Sequence, residues 1–144
     1  MTDLFTHRVT VRFGECDPAG ILYYPRYFDV FHRTMEAWVG EGLGIGYADL
    51  VRERLVGLPS VHAEADYRAP SHFGDQLDVG LSVEKLGRSS ITFTYRVVGV
   101  DGVLRATGRV VTVTMDLDPS SETYLRAVPI PDDLRAAIEA LTPA

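Results

Sequence analysis

Residues 14–39 read GECDPAGILYYPRYFDVFHRTMEAWV, a polar turn running straight into an amphipathic helix. The fold follows from what must cover that helix. Asp17 precedes Pro18, a common turn opener, and Gly14 and Gly20 bracket the turn. Pro25 suits the first helical position, where its missing N–H forfeits no hydrogen bond. Beyond it Phe28, Phe31, Met35, Trp38 and Val39 recur at helical spacing on one face, and Gly40 or Gly42 ends the run.

Working outward, Val9, Val11 and Phe13 alternate with Arg8, Thr10 and Arg12, which predicts a first strand. A short helical piece is expected from Tyr47 to Arg54. The period then changes to two. Val61, Ala63, Ala65 and Tyr67 alternate with His62, Glu64, Asp66 and Arg68, as in a half-buried strand, until Pro70 breaks it. Leu77, Val79, Leu81 and Val83 form the next apolar set, and Ile91, Phe93, Tyr95 and Val97 the one after. Asp101-Gly102 marks a hairpin into a strand from Leu104 to Met115. A last helix begins after Pro131, with Asp132 and Asp133 at its positive end and Leu134, Ile138 and Leu141 as its stripe.

Successive strands without intervening helices imply a largely antiparallel sheet. One long helix rich in Phe, Met and Trp must bury its face, and a curved antiparallel sheet wrapped around it is the economical solution. The expected class is α+β, with residues 1–144 as a single domain of ordinary size. Such a sheet leaves edges and one face to cover, so a homo-oligomer is expected, with a tetramer built from dimers and a plain dimer both open.

Charge and composition narrow the function. The net charge is −6 with a single lysine, Lys85, and no basic stripe, which argues against nucleic acid. No apolar run approaches the length of a membrane span, and the N-terminus lacks a signal pattern. Cys16 stands alone, so no internal disulfide forms and a cytoplasmic setting is expected. Serine-hydrolase and common zinc motifs are absent, and the four histidines lack close metal-ligand spacing, so no metal and no cofactor is expected.

That leaves the turn. On local grounds alone Asp17 is a turn carboxylate. Yet the segment is dense in aromatic groups and leads into a helix N-terminus, whose free N–H groups can hold a developing oxyanion. A carboxylate beside such donors suits acyl transfer, by direct attack or by activating water. Cys16 is the rival nucleophile, but Glu15 and Asp17 on either side would raise its pKa.

At this point the residues match a family. GECDPAGILYYPRYFDVF resembles the active-site segment of the hotdog-fold thioesterases, in the 4-hydroxybenzoyl-CoA thioesterase group. Residues 65–97, ADYRAPSHFGDQLDVGLSVEKLGRSSITFTYRV, resemble its central strands, with Tyr67, Pro70, Gly74-Asp75 and the turn from Leu86 to Ser90 as recurring features. The resemblance spans roughly residues 7–115, and the CDPAGI wording points to the aroyl-CoA branch.

The resemblance implies an enzyme that hydrolyses acyl-CoA, with 4-hydroxybenzoyl-CoA or a related aroyl-CoA as substrate. It puts the catalytic carboxylate on Asp17 and the oxyanion-binding backbone N–H on Tyr24. Tyr23 lines the acyl or thioester region, and Arg88, with Ser89 and Ser90, meets the CoA phosphates. Hydroxybenzoyl-specific members carry an acid on the long helix where this chain has His32; a neutral histidine can also bond a phenol, or simply face solvent. Two rivals stay open: a short-chain aliphatic acyl-CoA thioesterase, and a non-catalytic acyl-CoA binding module of the same fold.

Overall fold

A computed structural model of the chain describes residues 3–142. In chain order the elements are β1 (Phe5–Thr10), a 3-10 turn (Phe13–Glu15), α1 (Arg26–Ala37), two π-helical turns (Trp38–Gly42 and Asp49–Glu53), β2 (Val56–Gly57), β3 (Ser60–Tyr67), β4 (Gln76–Leu86), β5 (Ser90–Gly99), β6 (Leu104–Val113), β7 (Met115–Asp116) and α2 (Asp132–Leu141). The main sheet has five strands in the order β1-β4-β5-β6-β3, every pair antiparallel. The short strands β2 and β7 pair separately.

This is the expected hotdog arrangement, helix inside sheet. α1 buries Tyr27, Val30, Phe31, Thr34 and Met35, and the following wide turn adds Trp38 and Val39. The opposing sheet face contributes Leu77, Val79 and Leu81 from β4 and Ile91, Phe93, Tyr95 and Val97 from β5, all buried. Aromatic geometry sets the contact: Phe31 stacks on Tyr95 at 4.7 Å between centroids, and Trp38 meets Phe93 edge-on at 5.6 Å. Such close approach requires a missing side chain on β6. A Cβ at Gly108 would lie 2.3 Å from the Phe31 ring.

Two expectations are corrected. Phe13 does not belong to the first strand. β1 stops at Thr10, because Glu15 reaches back to accept the Arg12 N–H at 2.9 Å and folds residues 13–15 into a 3-10 turn that leaves Phe13 79% exposed. β3 exists, but it is not half-buried. It is an edge strand paired only with β6, and Val61 on it is 62% exposed. Its period-two pattern anticipates a cover that the single chain does not supply. Among the described residues no helix is long and apolar enough to cross a membrane, and no cluster of His, Cys, Asp and Glu could hold a metal ion.

Candidate active site

The motif residues fold into a small hairpin. The Tyr23 N–H donates to the Glu15 carbonyl and the Asp17 N–H to the Ile21 carbonyl, each at 2.9 Å, and Cys16 bridges Leu22 between them. At the tip the Gly20 N–H closes on the Asp17 carbonyl at 2.9 Å, with Gly20 at φ +77°, a conformation that strains any residue with a Cβ. Asp17 Oδ1 accepts the Ala19 N–H at 2.8 Å, an Asx turn. The local view of Asp17 as a turn carboxylate is therefore right about its shape. One oxygen shapes the turn. Among the described residues the other, Oδ2, accepts no hydrogen bond, and the side chain is half-exposed.

Two frames hold the hairpin. Glu15 caps the 3-10 turn with one oxygen and pairs with Arg33 of α1 at 2.9 Å through the other. The second strand of the hairpin is laced to residues 71–75. Leu22 N–H donates to the Ser71 carbonyl at 2.7 Å, Phe73 N–H to the Gly20 carbonyl at 3.0 Å, and Ile21 bridges His72. Cys16 is inert in this setting: burial, then the Asp17 and Glu15 carboxylates, push its thiol up.

At the start of α1, Pro25 occupies the cap position and Arg26 begins the helix. The Tyr67 hydroxyl donates to the Tyr24 carbonyl at 3.1 Å, while among the described residues the Tyr24 N–H donates to no acceptor. Tyr24 lies just before the Pro25 cap of α1, and its N–H is uncommitted, as an oxyanion donor requires. Tyr23 and Tyr24 are both exposed and meet edge-on at 5.3 Å. A cavity of about 300 Å³ opens here, walled by Ile21 and Leu22 of the hairpin and by Tyr24, Tyr27, Tyr67 and Pro70. Asp17 itself is not among its lining residues.

A second cavity of about 210 Å³ lies further along α1, between Phe28, Phe31, His32 and Met35 and the small residues Ser60 and Ala63 of β3. His32 sits six residues past Arg26, about 9 Å of helix rise. Its Nε2 is 2.9 Å from Glu36 Oε1, one helical turn on, and its ring meets Tyr47 edge-on at 5.9 Å. Burial, then the Glu36 charge, pushes the Tyr47 hydroxyl up.

Arg88, Ser89 and Ser90 are not brought to this end. They form the turn beyond the Leu86 end of β4, whereas the hairpin is anchored next to its Gln76 end through the bond from Val11 N–H to the Asp75 carbonyl. Eleven residues of strand put ~35 Å between the two ends. Arg88 is exposed, and the turn backbone is held by Ile130 N–H on the Arg88 carbonyl at 2.9 Å and by Arg135.

Residues that reasoning from sequence missed are those that fix the hairpin from a distance: Tyr27, Ser71 and Arg105. The Tyr27 hydroxyl lies 2.9 Å from Ser71 Oγ, both buried, and burial pushes the Tyr27 hydroxyl up against the effect of that bond. Nothing local marks such a pair 44 residues apart.

Comparison with known proteins agrees with the fold. The family model described as the thioesterase-like superfamily matches residues 11–138. A 1,4-dihydroxy-2-naphthoyl-CoA hydrolase from Synechococcus elongatus is 38% identical over 97 residues, which is 67% of this chain and 70% of that protein. Among solved structures, a thioesterase-superfamily protein from Jannaschia sp. aligns with a TM-score of 0.86 at 33% identity, covering 97% of this chain and 94% of the other. A gentisyl-coenzyme A thioesterase aligns at 0.82 with 25% identity, covering 93% and 99%.

Proposed function

The chain belongs to the thioesterase-like superfamily, and from that premise we propose that it is an acyl-CoA thioesterase acting on hydroxylated aroyl-CoA esters. The observation that carries the proposal is the pairing of a half-committed carboxylate with an uncommitted helix N-terminus: Asp17 Oδ2 on the hairpin, the Tyr24 N–H at the start of α1.

The reaction follows from those two groups. The Tyr24 N–H donates to the thioester oxygen as negative charge develops on it. Asp17 attacks the carbonyl carbon directly, giving an acyl-Asp17 anhydride and CoA thiolate, and water then cleaves the anhydride. Alternatively Asp17 takes a proton from a water that attacks in its place. Both routes consume one water and yield the free acid and CoA. Tyr23, exposed beside Tyr24, borders the thioester.

The acyl class rests on two supports. The relatives' names describe dihydroxylated aromatic acyl groups, naphthoyl in one and gentisyl in the other. The cavity along α1 is lined by Phe28 and Phe31 and by His32. His32 borders that cavity, and an imidazole nitrogen can bond a ring hydroxyl. The same logic admits 4-hydroxybenzoyl-CoA, so it belongs in any test.

The CoA end calls for a second chain. Asp17 and the Arg88 turn lie at opposite ends of β4, a strand ~35 Å long, which favours a ligand shared between two chains. We therefore propose a homo-oligomer, a tetramer built from dimers, in which another subunit offers Arg88 to the phosphates. The open edge of β3 is a natural pairing surface for the dimer. A reducing cytoplasmic setting fits the single Cys16.

The deciding experiment is a panel of dihydroxynaphthoyl-, dihydroxybenzoyl-, 4-hydroxybenzoyl-, benzoyl- and straight-chain acyl-CoA esters, compared by kcat/KM with thiol release as readout. Preference for the hydroxylated rings is expected. Preference for straight chains would reject the acyl assignment, and binding without thiol release would reject the enzyme.

A further inference from the structure

The two groups of the proposed site lie on one continuous stretch, Asp17 within the hairpin and Tyr24 directly after its last paired residue, Tyr23. The Asp17 hairpin is laced to residues 71–75, and the Tyr24 N–H belongs to the start of α1. Two side-chain contacts tie α1 to this frame: Arg33 pairs with Glu15 of the hairpin at 2.9 Å, and Tyr27, in the first turn of α1, meets Ser71 hydroxyl to hydroxyl at 2.9 Å in a buried setting. The Ser71 carbonyl simultaneously accepts the Leu22 N–H at 2.7 Å, so the serine touches helix and hairpin at once.

The far side of the same turn is held by a charge. Asp75 Oδ2 accepts the His72 N–H at 2.8 Å and lies 3.6 Å from an Arg105 terminal nitrogen. Arg105 enters from the beginning of β6 with its side chain about nine-tenths buried, and pairs with Asp101 at 2.9 Å. Its carbonyl accepts the N–H groups of Arg68 and Ala69, which border the first cavity. The Asp101 pair alone would close the β5–β6 hairpin. The reach to Asp75 has a different consequence, since it ties the sheet end to the turn that carries the catalytic hairpin.

We infer that Tyr27 and Ser71 are positioning residues for the thioesterase reaction, registering Asp17 against the Tyr24 N–H, with Arg105 clamping the turn from the sheet side. This rests on the proposed function, because it assigns these residues to the same site. Positioning errors of an ångström are expensive in catalysis and cheap in folding, so the two roles separate experimentally.

The test is a double-mutant cycle with Tyr27→Phe and Ser71→Ala, each removing one oxygen and little volume. Thiol release from the best CoA ester in the panel gives kcat and KM, and thermal unfolding gives the fold. Each single variant is expected to lower kcat about tenfold with KM within about twofold. The double variant is expected to be no worse than either single one, because all three break the same bond. Arg105→Lys, which keeps the charge, is expected to retain more kcat than Arg105→Met. Either single variant keeping kcat within about twofold of the unaltered protein overturns the inference, as does an additive double variant. A fall in kcat/KM carried by KM assigns the pair to binding and overturns it as well. Unaltered protein that releases no thiol overturns the proposed function and this inference with it, whereas active protein with unmoved variants overturns this inference alone.

Discussion

The hairpin that carries Asp17 and the turn that carries Arg88 are both polar turns at an end of the sheet, yet the fold treats them differently. The hairpin is laced on every side, by backbone bonds to residues 71–75, by Glu15 to Arg33, and by Tyr27 to Ser71. The Arg88 turn has a fixed backbone but leaves its guanidinium out of every ion pair among the described residues. A group that must meet a reacting carbonyl within tenths of an ångström needs a rigid mount. A cation that meets a phosphate needs reach and an absence of competitors. The two turns match the two proposed demands, and they lie at opposite ends of β4, an eleven-residue strand ~35 Å long.

The largest effect belongs to the mounted end. Asp17→Asn keeps the side-chain oxygen that accepts the Ala19 N–H, so the turn should survive. It removes the charge proposed to attack the thioester or activate water. We expect kcat to fall at least ~100-fold with the unfolding midpoint and oligomer mass unchanged. Near-normal turnover in steady-state assays would break the comparison at its root, because the rigid end would then be only structural.

Next in size is the free end. Arg88→Ala removes the proposed charge-assisted contact to phosphate, and a KM rise of about tenfold is expected with a smaller change in kcat. Equal loss in kcat and kcat/KM would move Arg88 from binding to the transition state and would contradict its distance from Asp17.

How much of this was legible from the residues depends on how far each signal travels along the chain. The Asp17-Pro18 turn, the helix after Pro25 and the strands of β4, β5 and β6 are encoded by neighbours, and spacing alone locates them. Phe13 misled because alternation from Val9 continues past the point where Glu15 turns the chain. β3 misled for a deeper reason. Alternation reports which side chains are meant to be covered, not by which molecule, and in one chain Val61 faces outward. The mounting residues were invisible because Tyr27 reads as one more aromatic on a helix, Ser71 as loop filler, and Arg105 as an outward strand residue. Their partners lie 44 residues away for Tyr27–Ser71. His32 was visible by resemblance alone, and its pairing with Glu36 has the one-turn spacing of a helix surface pair.

A smaller effect sharpens the same contrast. Tyr67→Phe deletes the hydroxyl that fixes the Tyr24 carbonyl from β3, leaving the ring contacts to Tyr24 and Tyr27. The hydroxyl is partly exposed, so water can replace it at the carbonyl, and a fall in kcat of only about threefold is expected. A loss as large as that of Asp17→Asn would give Tyr67 a direct part in the chemistry and move part of the site onto the edge strand.

The smallest effect lies at the Arg88 end and depends on pH. α2, whose Arg135 holds the Gly87 and Arg88 carbonyls, is tethered at its start by Arg54 on Asp133, two bonds of 2.7 Å. The hydrogen bond from Arg54 holds the Asp133 carboxyl below its ordinary value. A folded pKa below the unfolded one contributes stability that is complete above the ordinary aspartate pKa of ~3.9 and disappears as pH falls through the lower folded value. Arg54→Ala should therefore lower the unfolding midpoint slightly near pH 6, and the gap to the unaltered protein should shrink as pH falls below the ordinary aspartate range. An undiminished gap in acid would mean that Arg54 acts by packing, not by charge.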